Sequence, residues 1–297
     1  MNRIAKNIVL ALAFLMTVGV AWAAQPVSES FPVGPGAEVD IDVLSGSVTI
    51  VAGGSGLVEV TGTLGDGVES LEIDGDEDGV SIEVEYDEHY HGRQETDTDL
   101  TIRVPAGVVL TVETVSASIS VDGVSGEIDL ESVSGDVDVL SMPAALDVET
   151  VSGNVTIVSA PANSDISSVS GSIDIQASGG SIDVENVSGK ILIQGGVIDD
   201  GDLESVSGNI TCHAIPGPDG SLDIETMSGV ITLVIDSSLV ASFDLTTFSG
   251  SIQNEIGPEP RRTSKYTPGK ELYFNTGTGG PNISLESFSG SIKLITR

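Results

Sequence analysis

The chain has 297 residues, with 45 acidic side chains against 11 basic ones, and a formal net charge of −34. Nucleic acid and anionic lipid are bound through clustered Lys and Arg, so this balance puts both at the bottom of any list of partners. Acidity with only 4% aromatics can signal disorder, but a 39% hydrophobic content rich in regularly spaced Val, Ile and Leu argues for a buried core.

The first residues, MNRIAKNIVLALAFLMTVGVAWA, carry Arg3 and Lys6, an apolar run from Ile8 to about Val20, and Ala21-Trp22-Ala23 as a small-x-small cleavage site. This is the pattern of a secretory signal peptide over residues 1–23. The run is short for the roughly 20 residues that a membrane-spanning helix needs. No cysteine closes it to take a lipid anchor, and no later segment is apolar enough to span a bilayer. An exported chain of residues 24–297 would lose Arg3 and Lys6 but no acid, which takes the formal charge to −36.

Residues 24–104 read as the opening part of a single domain that continues to 297. VDIDVLSGSVTIV predicts a first coil, and LVEVTGTL, VESLEID and VSIEVEY predict strands of an acidic hairpin excursion. Within it, Asp74, Asp76, Asp78, Gly79 and Glu85 match the calcium-loop spacing D-x-D-x-D-G-x5-E, which makes calcium the one candidate cofactor. The flanking residues alternate like strands and not like helices, so an Asp- and Gly-rich hairpin turn explains the same residues. His89 and His91 beside Asp87 and Glu88 form an H-x-H pair that could hold a transition metal, but no third ligand is identifiable.

From Pro105 onward the chain repeats. The glycine of the repeat's Ser-Gly pair falls at 46, 126, 135, 153, 171, 189, 208, 229, 250 and 290, and from 135 to 250 the steps are 18, 18, 18, 19, 21 and 21. A period of 18 to 21 residues is a solenoid signature. Apolar residues stand two and four places after the glycine (Val155/Ile157, Ile191/Ile193) and seven and five places before it (Leu146/Val148, Leu222/Ile224). Each repeat therefore supplies two short strands with one buried face, and stacked coils would pair them in parallel about 4.8 Å apart. The glycine suits the bend between the strands, and the serine can bond to nearby backbone. The apolar residue before that serine (Val151, Met227, Phe248, Phe288) is expected to plug the core at the bend. The serines lack a G-x-S-x-G elbow and a neighbouring histidine, so they do not read as nucleophiles.

Two acidic columns follow from the same alignment. Six places before the glycine stand Asp129, Asp147, Asp165, Asp183, Asp202, Asp223 and Asp244; four places before it stand Glu131, Glu149, Glu185, Glu204, Glu225 and Glu286. Both positions alternate with buried ones and face solvent. They read as a solvating, aggregation-resistant face or as a collector of divalent cations such as calcium. Cys212 is the only cysteine, so there is no internal disulfide; it occupies the slot that holds Ile175 in another coil and reads as a small core residue, with His213 on the opposite face. The Pro- and Gly-rich loop at 257–270 gathers Arg261, Arg262, Lys265 and Lys270, the only concentrated positive patch. GTGGP at 277–281 lacks the G-K-S/T ending of a phosphate loop and reads as a turn.

The segment IRVPAGVVLTVETVSASISVDGVSGEIDLESVSGDVDV, the repeated V-S-G-x-I, and the closing YTPGKELYFNTGTGGPNISLESFSGSIKL resemble the bacterial putative-adhesin family of β-strand-repeat proteins, a domain of unknown function. The resemblance implies a right-handed parallel β-helix on exported or envelope-associated proteins, a link to envelope-stress responses, and no catalytic residues to carry over. The leading expectation is an all-β solenoid that acts without catalysis as an adhesin-like scaffold or interaction module in the periplasm or at the cell surface. Its partner would be an envelope component, another protein or a second copy. A role as partner or sensor in an envelope-stress response is one alternative. A calcium-dependent, polysaccharide-active β-helix enzyme is the other, but few aromatics are present to stack sugars and few bases to hold an acidic polymer.

Overall fold

A computed structural model describes residues 25–54, 56–87, 97–158 and 163–297, with side chains omitted at 177 and 178. The expected signal peptide and the pair His89 and His91 lie outside the described residues. Among the described residues all 25 strands join one sheet and no helix occurs.

The alternation of the repeat dictates the strands. Glu127–Ser132 alternates exposed and buried residues, and after the bend Val137–Leu140 alternates again. The next coil repeats both strands, Ala145–Thr150 and Val155–Val158, in parallel and in register, so Ile128 sits beside Leu146, Leu130 beside Val148, and Val137 beside Val155. Like residues therefore stack on like. One core column runs Leu130, Val148, Ile166, Val184, Leu203 and Ile224, all fully buried. Each such side chain contributes about 1.5–3 kcal/mol of burial free energy. The architecture is a β-solenoid.

The repeat glycine answers a close approach and not a special dihedral. A Cβ on Gly153 would lie 1.8 Å from the Gly135 carbonyl oxygen, and one on Gly189 would lie 1.9 Å from that of Gly171. Gly46 alone among the repeat glycines has a positive φ, of 115°. The serine before the glycine ties each bend to the coil before it: Ser152 donates from both its backbone N–H and its hydroxyl to the Val133 carbonyl, at 3.0 and 3.1 Å.

The residue before that serine does not plug the core. Val151, Met227, Phe248 and Phe288 are all exposed, at about half of their full accessibility. The two-residue period continues through the bend, so the residue one place earlier (Ser132, Thr150, Ser168, Asn186) points inward and the apolar residue points out. Parity, and not apolar character, decides which face a side chain takes.

Both ends depart from chain order. The coil of Glu38–Val43 and Gly46–Gly53 lies between that of Val109–Thr114 and Ser118–Asp122 and an outer coil made by Gly79–Tyr86 and Thr98–Pro105. At the other end the last coil, Asn282–Ser287 with Ser291–Thr296, inserts between Val230–Ile235 with its partner strand and the outer coil of Ser242–Thr247 and Ser251–Asn254. Antiparallel strands then close three outer edges. Leu57–Leu64 pairs with Thr98–Pro105, Val68–Gly75 with Gly79–Tyr86, and Lys270–Asn275 with Ser242–Thr247. Covering terminal edges in this way blocks the end-to-end strand pairing that an open solenoid would invite.

Candidate functional site

The stacking register assembles both acidic columns. Asp129, Asp147, Asp165, Asp183, Asp202 and Asp223 are consecutive cross-strand neighbours. Ser284 of the inserted coil separates Asp223 from Asp244. In the second column Glu131 and Glu149 are followed by Ser167, then by Glu185, Glu204, Glu225 and Glu286 in unbroken succession. The column also extends the other way through Glu113, Asp42 and Glu83, and Asp40 sits in the aspartate row next to Thr111. The repeat alignment missed these four. Asp40 and Asp42 obey the same offsets from Gly46, Glu113 stands four places before Ala117, which replaces the glycine, and the coil of Glu83 has no Ser-Gly pair at all.

Successive carboxylates stand about one strand spacing apart. Partial burial first, and neighbouring acids second, raise the carboxyl pKa of Glu131, Asp147, Asp183, Asp202, Glu204 and Glu225 above the ordinary range. For Glu225 the largest neighbour is Glu286, in the inserted coil. The columns thus behave as one electrostatic surface.

Two residues farther along the chain in each coil, at the bend, runs an outward apolar row: Val151, Val169, Val187, Val206, Met227, Phe288 and Phe248. Val206 is 46% exposed, Met227 57% and Phe288 54%. Phe248 and Phe288 stack face to face with ring centroids 4.7 Å apart and planes within 4°. Between this row and the glutamates lies an open groove of about 550 Å³ that spans the rungs from Thr150 to Phe248. Its lining includes Ser168, Ser205, Thr226 and Ser287, whose buried hydroxyls have no hydrogen-bond partner. The arrangement can hold an apolar surface along one side and cations along the other.

The calcium-loop residues do not converge. Asp76 caps the hairpin turn, accepting the N–H groups of Asp78 and Gly79 at 2.8 and 3.2 Å. Asp74 lies opposite Ser81, while Glu85 is further along the hairpin, opposite Ser70, and accepts that hydroxyl at 2.6 Å. Among the described residues no three His, Cys, Asp or Glu side chains are grouped to hold a metal ion. Cys212 is fully buried between Ile193 and Leu233, and burial pushes its thiol pKa up to about 12.

The basic loop sits at the Phe248 end of the groove. Arg261 and Arg262 pair with Glu271 and Lys270 of the closing strand, and Arg261, Arg262 and Lys265 are exposed beside Tyr266, which is 89% exposed. Gly269 packs so closely on this end that a Cβ there would lie 2.9 Å from the Thr247 carbonyl oxygen and 3.2 Å from that of Phe248. The GTGGP segment is a turn with Gly279 and Gly280 at φ of 80° and 86°.

Residues 37–295, nearly the whole solenoid, match the family model described as Toastrack DUF4097. The chain belongs to the Toastrack DUF4097 family. No curated protein matches this Toastrack chain. Among solved structures it is similar to a "putative lipid binding protein" from Parabacteroides distasonis ATCC 8503, at 15% identity and a TM-score of 0.51, covering 91% of this chain and 96% of that one. It is also similar to a "putative adhesin" from Bacteroides fragilis NCTC 9343, at 12% identity and a TM-score of 0.42, covering 93% and 100%. The first likeness bears on the fold alone. Among the described residues of the Toastrack chain no helix is long and apolar enough to cross a membrane.

Proposed function

We propose that this protein is an exported, non-enzymatic binding scaffold of the bacterial cell envelope, adhesin-like in presenting one long face for contact. The observation that carries the reading is the uncovered row of Val, Met and Phe side chains beside the glutamate column. Exposed apolar residues scattered singly need no explanation, but a continuous row flanked by charge marks an interaction surface. A rigid solenoid suits this use, because it holds many equivalent contacts in line. The coils are read as winding right-handed, the sense that parallel crossovers overwhelmingly adopt. Calcium enters this reading as a screening counter-ion of the acidic rows, not as the occupant of a built cage. The basic loop at 257–270 is a second contact point, suited to an anionic envelope component.

Fractionation of cells expressing the protein tests the reading. The intact protein should be exported and should partition with the envelope. Val206→Ser, Met227→Ser and Phe288→Ser together should release it to the soluble fraction while lowering its melting temperature only by the few degrees that the lost Phe248–Phe288 stack accounts for. An unchanged distribution would remove the row from the account, and a chain retained in the cytoplasm would remove the envelope.

A further inference from the structure

The groove has a definite chemistry, and its repeat has a definite length. Glu185, Glu204, Glu225 and Glu286 form one wall in four consecutive rungs, and Val187, Val206, Met227 and Phe288 form the other in the same rungs. Seven rungs, from that of Thr150 to that of Phe248, give six steps and about 29 Å. A partner that satisfies both walls must carry cations along one edge and apolar groups along the adjacent edge, with a spacing near that of the rungs.

An extended peptide laid along the axis repeats on one side at about 6.8 Å, too long for rungs about 4.8 Å apart. Along one edge an α-helix presents side chains at i, at i+3 or i+4, and at i+7, an average advance of about 5.3 Å. The mismatch of about half an ångström per rung accumulates to about 3 Å over the groove, which flexible Lys and Arg stems can absorb. At about 1.5 Å per residue the groove accommodates a helix of about 19 residues. Net charge selects the same partner. A molecule this acidic repels a second copy of itself and draws cationic chains toward the groove.

We propose that the groove between the glutamate column and the Val/Met/Phe row binds a cationic amphipathic helix of about 19 residues, lying along the solenoid axis with its basic edge on Glu185, Glu204, Glu225 and Glu286 and its apolar edge on Val187, Val206, Met227 and Phe288. The stacked Phe248 and Phe288 rings anchor one end of the helix. This rests on the scaffold reading and names the class of partner for it.

The test uses the purified protein and two synthetic 19-residue peptides of identical Leu and Lys composition, one patterned as an amphipathic helix and one scrambled to remove the pattern. Fluorescence anisotropy near physiological salt gives affinity, and circular dichroism gives the helicity gained on binding. The patterned peptide should bind saturably, gain helicity, and bind at least tenfold more tightly than the scrambled one. Glu185→Gln, Glu204→Gln and Glu225→Gln together should weaken it at least tenfold, as should Met227→Ser with Phe288→Ser. All five residues are outward-facing, so the variants keep the fold, which melting verifies. Equal binding of the two peptides would reduce the effect to bulk charge attraction and overturn the proposal. So would a patterned peptide whose affinity ignores both sets of substitutions. If the unliganded protein sediments as a dimer that Met227→Ser with Phe288→Ser dissociates, and the peptide does not bind, the face is an interface between copies. Loss of peptide binding with row-dependent envelope association intact sinks this proposal alone; loss of both sinks the scaffold reading as well.

Discussion

Replacing Gly153 by alanine puts a methyl group 1.8 Å from the Gly135 carbonyl oxygen, a backbone atom of the coil below. Relief requires the two coils to separate locally by more than an ångström, and the bend is held by Ser152 on Val133 and by the Gly153 N–H on the Thr150 hydroxyl at 3.1 Å. Overpacking against side chains that can give way costs about 1–3 kcal/mol. Here the neighbour is backbone pinned on both sides, so the cost belongs at the upper end, about 3 kcal/mol. At 2–4 °C per kcal/mol for a chain of this size, Gly153→Ala should lower the melting temperature by about 6–12 °C. Gly107 is the control: nothing lies within 4 Å of a Cβ there and its φ is not positive, so Gly107→Ala should be neutral or stabilise by about 0.4–1 kcal/mol. Melting followed by circular dichroism compares the two. The natural alanine in this slot, Ala117, stacks on Gly46, whose backbone alone among the repeat glycines has the positive φ. If Gly153→Ala melted with the parent, or Gly107→Ala fell as far, the close-approach account of the repeat glycine would be refuted.

Three further outcomes follow from the same structure. The raised carboxyl groups of Glu131, Asp147, Asp183, Asp202, Glu204 and Glu225 bind protons more readily folded than unfolded. Their stabilisation is complete below the ordinary carboxylate range and is lost as pH rises through the raised values. The melting temperature should therefore climb as the pH is lowered from neutral toward the ordinary carboxylate values of about 4, at constant ionic strength; Asp236, lowered by its hydrogen bonds to Ser238, opposes this, and a fall on acidification would contradict the shifts on the acidic rows. Ser164 points inward between Leu146 and Ile182 with no partner for its hydroxyl, so Ser164→Ala should stabilise by about 1 kcal/mol in urea titration, and a loss of stability would mean the hydroxyl is bonded after all. The Cys212 thiol, buried and held near pKa 12, should resist alkylation at about pH 8 until the protein unfolds, and rapid native labelling would show that its coil opens.

Much of this architecture was legible in the sequence because a solenoid repeats its own instructions. The offsets of Leu146, Val148, Val155 and Ile157 from Gly153 gave the two strands, the buried face and the vertical neighbours. Parity gave the outward carboxylates. What the sequence did not carry was spatial order at the ends: the glycine spacing reports the length of a coil but not which coil lies beside it. Hence the insertion of Asn282–Ser287 next to Glu225 went unforeseen, although it completes the glutamate wall with Glu286. The groove itself was missed for a different reason. Apolar residues at the bend looked like core, and only the inward Thr150 and Ser168 beside them reveal that Val151 and Val169 must face out. The Asp74 to Glu85 spacing shows the converse hazard, a motif matched in letters whose residues two strands pull apart.

The most direct test of the central claim places a photo-crosslinking amino acid at Val206, on the row, and in a second strain at Asp138, an outward residue on another face of the solenoid. Illumination of living cells followed by gel analysis of the purified protein reads the result. The account predicts an adduct from position 206 and none from position 138. Adducts from both in equal yield, or from neither, would contradict the claim that the Val/Met/Phe row is the face through which this protein works.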